Sequence, residues 1–182
     1  MHRKQLLDLL ESYTPFPEEP VDRLKAFIHA NPTCFDRELS IGHITGSAWI
    51  LNPTRTHALL THHHILDCWL QLGGHADGDS DVLNVALREA QEESGLNSIK
   101  TLSNEIFDID IHLFPSQKTL PAHYHHDIRF LFEADDTEPL TVSHESKDLC
   151  WVALEELETY TDKRSVLRLV EKTPAHTLGN AQ

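Results

Sequence analysis

The segment from Val82 to Ser94, Val-Leu-Asn-Val-Ala-Leu-Arg-Glu-Ala-Gln-Glu-Glu-Ser, fits a helix and little else. No proline interrupts it, and Gly95 follows, the residue type that most readily takes the left-handed turn past a helix C-terminus. Wound at about 100° per residue, it carries Leu83, Ala86, Leu87 and Ala90 as an apolar stripe, with Val82 and Val85 at its edge. Asn84, Arg88 and Gln91 face the opposite, wet side. The glutamates do not follow them. Glu89 and Glu93 stand in line with Val82, and Glu92 stands below Val85. Three carboxylates thus crowd one end of a face whose other end is apolar. Like charges raise one another's energy, burial adds to the cost, and the C-terminal end of the helix dipole adds more. Two arrangements answer this. Either a cation sits among the carboxylates, or the helix is a solvated acidic one tied by an i,i+4 pair between Arg88 and Glu92. In the first case an oxygen-only ligand set suits Mg2+ or Mn2+ rather than zinc. Gly73-Gly74 upstream lets the backbone come close, so the Gly74 carbonyl is placed to complete the shell.

The rest of the chain bounds what this segment can serve. Its 182 residues suffice for one domain with an extension and a real core. The net charge of −14 repels a nucleic-acid backbone, and no basic patch offsets it. A chain so acidic needs cations to handle a phosphate. No apolar run has membrane-spanning length, and Met1–Leu10 lacks the unbroken apolar stretch of a secretory signal. Cys34, Cys68 and Cys150 form neither a zinc pattern nor a disulfide framework. The chain reads as a cytoplasmic protein with free thiols, without nucleic-acid or membrane partners.

Residues 1–40 read as a helical N-terminal extension: an amphipathic helix at the start, a break at Pro15, Pro17 and Pro20, then a helix over Val21–Ala30. Residues 41–172 read as the catalytic domain. Strands are expected at Ile41–Leu51, His57–Ile65, Cys68–Leu72 (interrupted by Gly73-Gly74), within Ile99–Phe114, at Tyr124–Glu133 and at Leu149–Leu154. Helices are expected at Val82–Ser94, Glu155–Tyr160 and Ser165–Lys172. Residues 173–182 read as a flexible tail. The sum is an α/β (α+β) sandwich, a mixed sheet flanked by helices.

Gly74, Arg88, Glu89, Glu92, Glu93, Gly95 and Leu96 together resemble the Nudix box: Gly, five residues, Glu, seven residues, then Arg-Glu-aliphatic-x-Glu-Glu-x-Gly-aliphatic. The resemblance is close over residues 74–96 and looser over about 41–160. Two positions depart from it. Ser80 stands where the family has the first Glu, with Asp79 and Asp81 beside it as substitutes, and Ala90 is smaller than the usual aliphatic. The resemblance implies a Nudix-like sandwich and a pyrophosphohydrolase acting on acid anhydrides, with a small-molecule phosphoanhydride as substrate and, commonly, a homodimer. It implies that Glu89, Glu92 and Glu93 bind Mg2+ (or Mn2+), and that Arg88 orients Glu89. One of the glutamates, or a later acidic residue, is then the base. Glu145 precedes the Trp151 strand, where relatives often carry that residue; an exposed loop glutamate is its plainer description.

Fourteen histidines are many. His75 follows Gly-Gly and is placed to reach the site. His123 and His125 share one strand face, and His126 faces away. They are candidates for substrate phosphate contact, with Arg129 as a helper, or else polar residues around a cleft mouth. A histidine-only zinc site lacks a helical His-x-x-x-His pair. The segment from Pro121 to Phe130 is similar to one in a Nudix subgroup of uncharacterised substrate. Two other functions stay open on the same fold: a nucleotide-binding or regulatory module without turnover, for which Ser80 speaks, and an isopentenyl diphosphate isomerase-like enzyme, for which Cys68 would be the acid.

Overall fold

The structure is a computed structural model that describes residues 2–117 and 120–174. Most of the expected tail, 175–182, lies outside the described residues. Two helices, α1 (Lys4–Ser12) and α2 (Val21–Ala30), lead into strands β1 (Gly42–Leu51), β2 (His57–His63), β3 (Trp69–Leu70) and β4 (Leu72–His75). Helix α3 (Val82–Ser94) follows, then β5 (Lys100–Thr101), β6 (Asp108–Phe114), β7 (His123–Glu133) and β8 (Ser146–Ala153). A 3₁₀ turn, Leu154–Thr159, connects to α4 (Arg164–Lys172).

The centre of the sheet is a parallel pair, β1 beside β7, in register from Gly42↔Tyr124 to Leu51↔Glu133. Strand β6 adds antiparallel to β7. On the other side β1 changes partner along its length. Thr45–Ala48 pairs with β4, and Leu51 pairs with β2, which continues to β3 and β8. The sheet therefore splits beyond β1 and is mixed, with helices flanking it.

The period of two gives the central strands two different faces. Ile44, Ala48 and Ile50 of β1 join Ile128, Phe130 and Phe132 of β7 in one core with Val85, Ala86 and Ala90 of α3. Fully burying each of these large apolar side chains contributes about 1.5–3 kcal/mol. Gly46 sets the closeness of that packing, because a Cβ there would stand 2.8 Å from the Val82 carbonyl oxygen. Leu6, Leu10, Leu24 and Ile28 of α1 and α2 are buried in the same core. The opposite face is apolar only at its far end, where Trp49, Leu51 and Leu131 meet Val166 and Leu169 of α4. Trp49 Nε1 donates to Thr173 Oγ1 at 2.9 Å, so the first residue of the expected tail is held. The near end of this face is polar, with His43, Thr45 and Ser47 of β1 and His123, His125, Asp127 and Arg129 of β7.

Three local features differ from the sequence expectation. Gly73-Gly74 does not interrupt a strand but lies inside β4. A Cβ on Gly73 would fall 2.2 Å from Ser47 Oγ, so glycine is what allows β4 to lie this close to β1. The buried stripe of α3 runs through Val82, Val85, Ala86, Ala90 and Glu93, and Leu83 and Leu87 are its half-buried edge. The stripe is thus rotated toward the glutamates. Strand β8 begins at Ser146, because pairing with β2 continues past a register shift at His62/His63.

Candidate active site

Helix α3 owes its sharp ends to its caps. Asp81 accepts the Asn84 N–H at 3.2 Å, and Gly95 takes a left-handed conformation at φ 73°. Between these caps the helix lays its last turns against the glycine pair of β4. The Glu89 carboxylate occupies the space over Gly74, where a Cβ would meet Oε2 at 2.3 Å. Glu93, only 5% exposed, accepts the Gly73 N–H at 3.1 Å. Glu92 is more exposed and reaches Arg88 Nη1 at 3.3 Å.

Arg88 ties this group together. Its Nη1 lies 2.7 Å from Glu89 Oε1, and its Nη2 donates to the His75 carbonyl at 3.1 Å. The acidic residues beside Ser80 do not join in. Asp81 caps α3, and Asp79 accepts from the Asp81 N–H and from Asn84 Nδ2. Arg88 is held here by Glu89, Glu92 and a main-chain oxygen.

The electrostatics of the glutamates are unbalanced. Burial pushes the Glu93 carboxyl up to about 8; the Gly73 hydrogen bond opposes this, and Glu89, Glu145 and Glu92 add to it. Burial also raises Glu89, against the pull of Arg88 and with Glu92 and Glu145 adding to the rise. Buried oxygens that repel one another are what a hard divalent cation relieves, so the residues present fit Mg2+ or Mn2+. Glu145 is exposed in the loop before β8, and its charge is felt at Glu89, Glu93 and His75.

The histidines gather on the polar sheet face beside this group. The His43 ring lies 4.9 Å from His75, 5.0 Å from His123 and 5.0 Å from His125, between centroids. Phe114 stacks on His125 at 4.8 Å, and His112 approaches it at 5.4 Å. Burial lowers His43 to about 4, with His75, His123 and Arg37 adding to the fall. Burial also lowers His125 and His75, so these rings are neutral at pH 7. His126 turns to the other face and stacks on Phe27 of α2 at 3.6 Å. Of the aromatic side chains, Trp69 stacks on His62, and Tyr124 lies under the Arg23 guanidinium.

Arg129 corrects the sequence expectation. It is 1% exposed and does not reach the cleft as a substrate helper. Its Nε donates to Asp127 at 2.8 Å, and its Nη1 to Asp108 at 3.1 Å and to the Ser165 carbonyl at 2.7 Å. Arg168 and Lys172 of α4 also converge on Asp108. Thr45 and Ser47 donate to Asp127 Oδ1, and Gln71 to Oδ2. Arg129 therefore holds β6, β7 and α4 together. Cys68 lies in the turn before β3, near Asp67, Asp162 and Lys163.

Two site residues escaped the sequence. His43 was legible only as the first of three polar residues alternating along β1, His43, Thr45 and Ser47. Arg37 gave no signal. It is ion-paired with Asp77, and its charge is felt at His43 and His75.

The comparisons agree with the fold. The family model for the NUDIX domain matches residues 43–170. No curated protein matches the chain in sequence. Among solved structures, a NUDIX family hydrolase from Clostridium perfringens is 25% identical, with a TM-score of 0.55 over 71% of this chain and 95% of that one. An Ap4A hydrolase from C. elegans is 17% identical, with a TM-score of 0.57 over 71% and 93%. The dihydroneopterin triphosphate pyrophosphohydrolase of E. coli is 11% identical, with a TM-score of 0.52 over 71% and 92%. The glutamate cluster on α3, the mixed sheet under it and the family match over most of the chain lead to one conclusion: this chain belongs to the NUDIX domain family and is a pyrophosphohydrolase acting on acid anhydrides.

Proposed function

We propose that the chain is a magnesium- or manganese-dependent cytoplasmic hydrolase of a nucleoside diphosphate linked to a further group, or of a closely related small phosphoanhydride. The observation that carries this reading is the placement of Glu89 and Glu93, packed on Gly74 and Gly73, where burial and mutual repulsion outweigh the one counter-charge, Arg88, and the Gly73 hydrogen bond. Glu89, Glu92, Glu93 and the Gly74 carbonyl would hold the cations. When bound, these supply Lewis-acid polarisation of the phosphoryl oxygens and lower the pKa of water.

The chain's own groups do the rest. Arg88 positions Glu89 through its 2.7 Å contact and stays out of the substrate's path. Glu145, exposed in the loop before β8, takes the proton of the attacking water onto its carboxylate. The water oxygen bonds to one phosphorus as the bridging P–O bond breaks, and the second phosphate leaves with the bridging electrons. His75, His123 and His125 line the face where the remaining phosphates would lie.

The test is a magnesium-supplemented hydrolysis screen with phosphate detection. Its panel spans nucleoside triphosphates, sugar nucleotides, dinucleoside polyphosphates and non-nucleotide diphosphates. At least one substrate is turned over, chelator stops it, and Glu93→Gln abolishes it. Full activity in Glu93→Gln would overturn the metal assignment.

A further inference from the structure

We propose that His43, His123 and His125 form a second metal site, distinct from the glutamates, which takes one divalent transition cation of the zinc class through three imidazole nitrogens. The three rings are buried, and one ligand nitrogen from each lies within 4.8 Å of the other two. They come from two strands held in fixed register, His43 opposite His125 on β1 and β7, with His123 two residues along the same face. This is a rigid platform rather than a loop.

The hydrogen bonding is that of a ligand set. His123 Nδ1 lies 2.9 Å from the Pro121 carbonyl, which can only accept. Nδ1 therefore carries the proton, and the lone pair of Nε2 points inward, the usual way a ligating histidine is oriented by its other nitrogen. His123 Nε2 lies 3.2 Å from His125 Nε2. Two nitrogens bound about 2.0–2.1 Å from one tetrahedral ion stand about 3.3–3.4 Å apart, so this spacing already suits the ion. A hydrogen bond between the two rings would also explain that distance, but it leaves His43 unaccounted for. Both His43 nitrogens are buried without a partner among the described residues, in a ring 2% exposed. A buried polar group left so is costly, and a cation at the cluster removes the cost.

Nitrogen ligands select zinc, cobalt, nickel or copper over magnesium, which prefers oxygen. Three ligands also leave a coordination position for water or a phosphate oxygen. Anionic substrate would then meet a second positive centre on this face.

The test uses the full chain, stripped with chelator and titrated with Co2+ as a visible probe. Cobalt should bind with the intense absorption of a low-coordinate nitrogen site. Zinc should displace it, and excess magnesium should not. The doubly substituted Glu89→Gln/Glu93→Gln protein should retain it. His43→Ala and His125→Ala, shown to be folded by circular dichroism, should bind at least about tenfold more weakly. No cobalt absorption, displacement by magnesium, loss in the glutamate variant, or full retention in folded histidine variants would each overturn the site. If a histidine variant does not fold, the magnesium competition and the glutamate variant still decide. Hydrolysis that depends on Glu93 is independent of every one of these outcomes, so the two proposals stand or fall separately.

Discussion

Glu89 packs on Gly74 so closely that a Cβ at residue 74 would stand 2.3 Å from Oε2 and 2.4 Å from the carboxyl carbon. The smallest possible side chain therefore moves a carboxylate. Gly74→Ala should leave the fold intact, because Glu89 is the end of a flexible side chain, yet cut kcat/KM by about 100-fold, the usual cost of displacing a positioned group by an ångström. Steady-state kinetics beside circular dichroism will check this. Wild-type kinetics would remove Glu89 from the site.

Glu93→Gln should separate activity from stability. Activity should fall by at least about 100-fold, since a lost ligand weakens charge stabilisation worth several kcal/mol. Metal-free stability should rise. The folded carboxyl titrates near 8, above its ordinary value of 4.5. Between those limits the folded state holds a proton that the unfolded state has lost, so wild-type stability falls as pH rises through that window. The variant lacks this loss. Its metal-free Tm should exceed wild type at pH 8 and above, by about 2–4 °C for each kcal/mol relieved, and the two should converge near pH 4. Thermal melts in chelator across pH measure the difference.

Removing Arg129 should hurt the fold before it touches the chemistry. Asp108 and Asp127 would be left with fewer cations in a dry environment, and breaking such a buried pair from one side costs about 3–5 kcal/mol. Arg129→Met should lower the urea midpoint strongly. A variant of wild-type stability with a raised KM would instead restore a substrate role.

Acid should loosen the N-terminal helices. His126 stacks on Phe27, and burial, followed by the nearby Arg23 charge, lowers its pKa to about 4. The other groups that act on it are His112, which lowers it further, and the backbone at His43 and Tyr124, which opposes the shift. A depressed histidine contributes stability that is complete above 6.5 and is lost as pH falls toward 4. The protection factors of α2 amides, which take out the intrinsic pH dependence of exchange, should fall across that window, and His126→Leu should flatten the response. Protection in α2 that does not change with pH would refute it.

Helix α3 was readable to the residue because its caps are local: Asp81 and Gly95 act on backbone next to them. Helix α2 was readable for a similar reason, with Pro20 at its start. The three glutamates also follow from one helix's periodicity. What stayed hidden depends on partners distant in sequence. Gly73-Gly74 looks like an interruption until Ser47 and Glu89 are seen against it. Arg129 looks like a cleft residue until Asp108 and α4 close over it. His43 joins His123 and His125 only through the register of two strands that no local pattern announces.

That register has a kinetic side. The parallel pairing of β1 with β7 joins residues such as Thr45 and Asp127, 82 positions apart, and no hairpin can nucleate it. Closing so long a loop costs entropy before any contact repays it, which slows folding. The hydrogen bonds of helix α3 are local and need no such closure. The histidine face of the cleft therefore waits on the carboxyl-terminal part of the chain, while the helix that carries the glutamates does not.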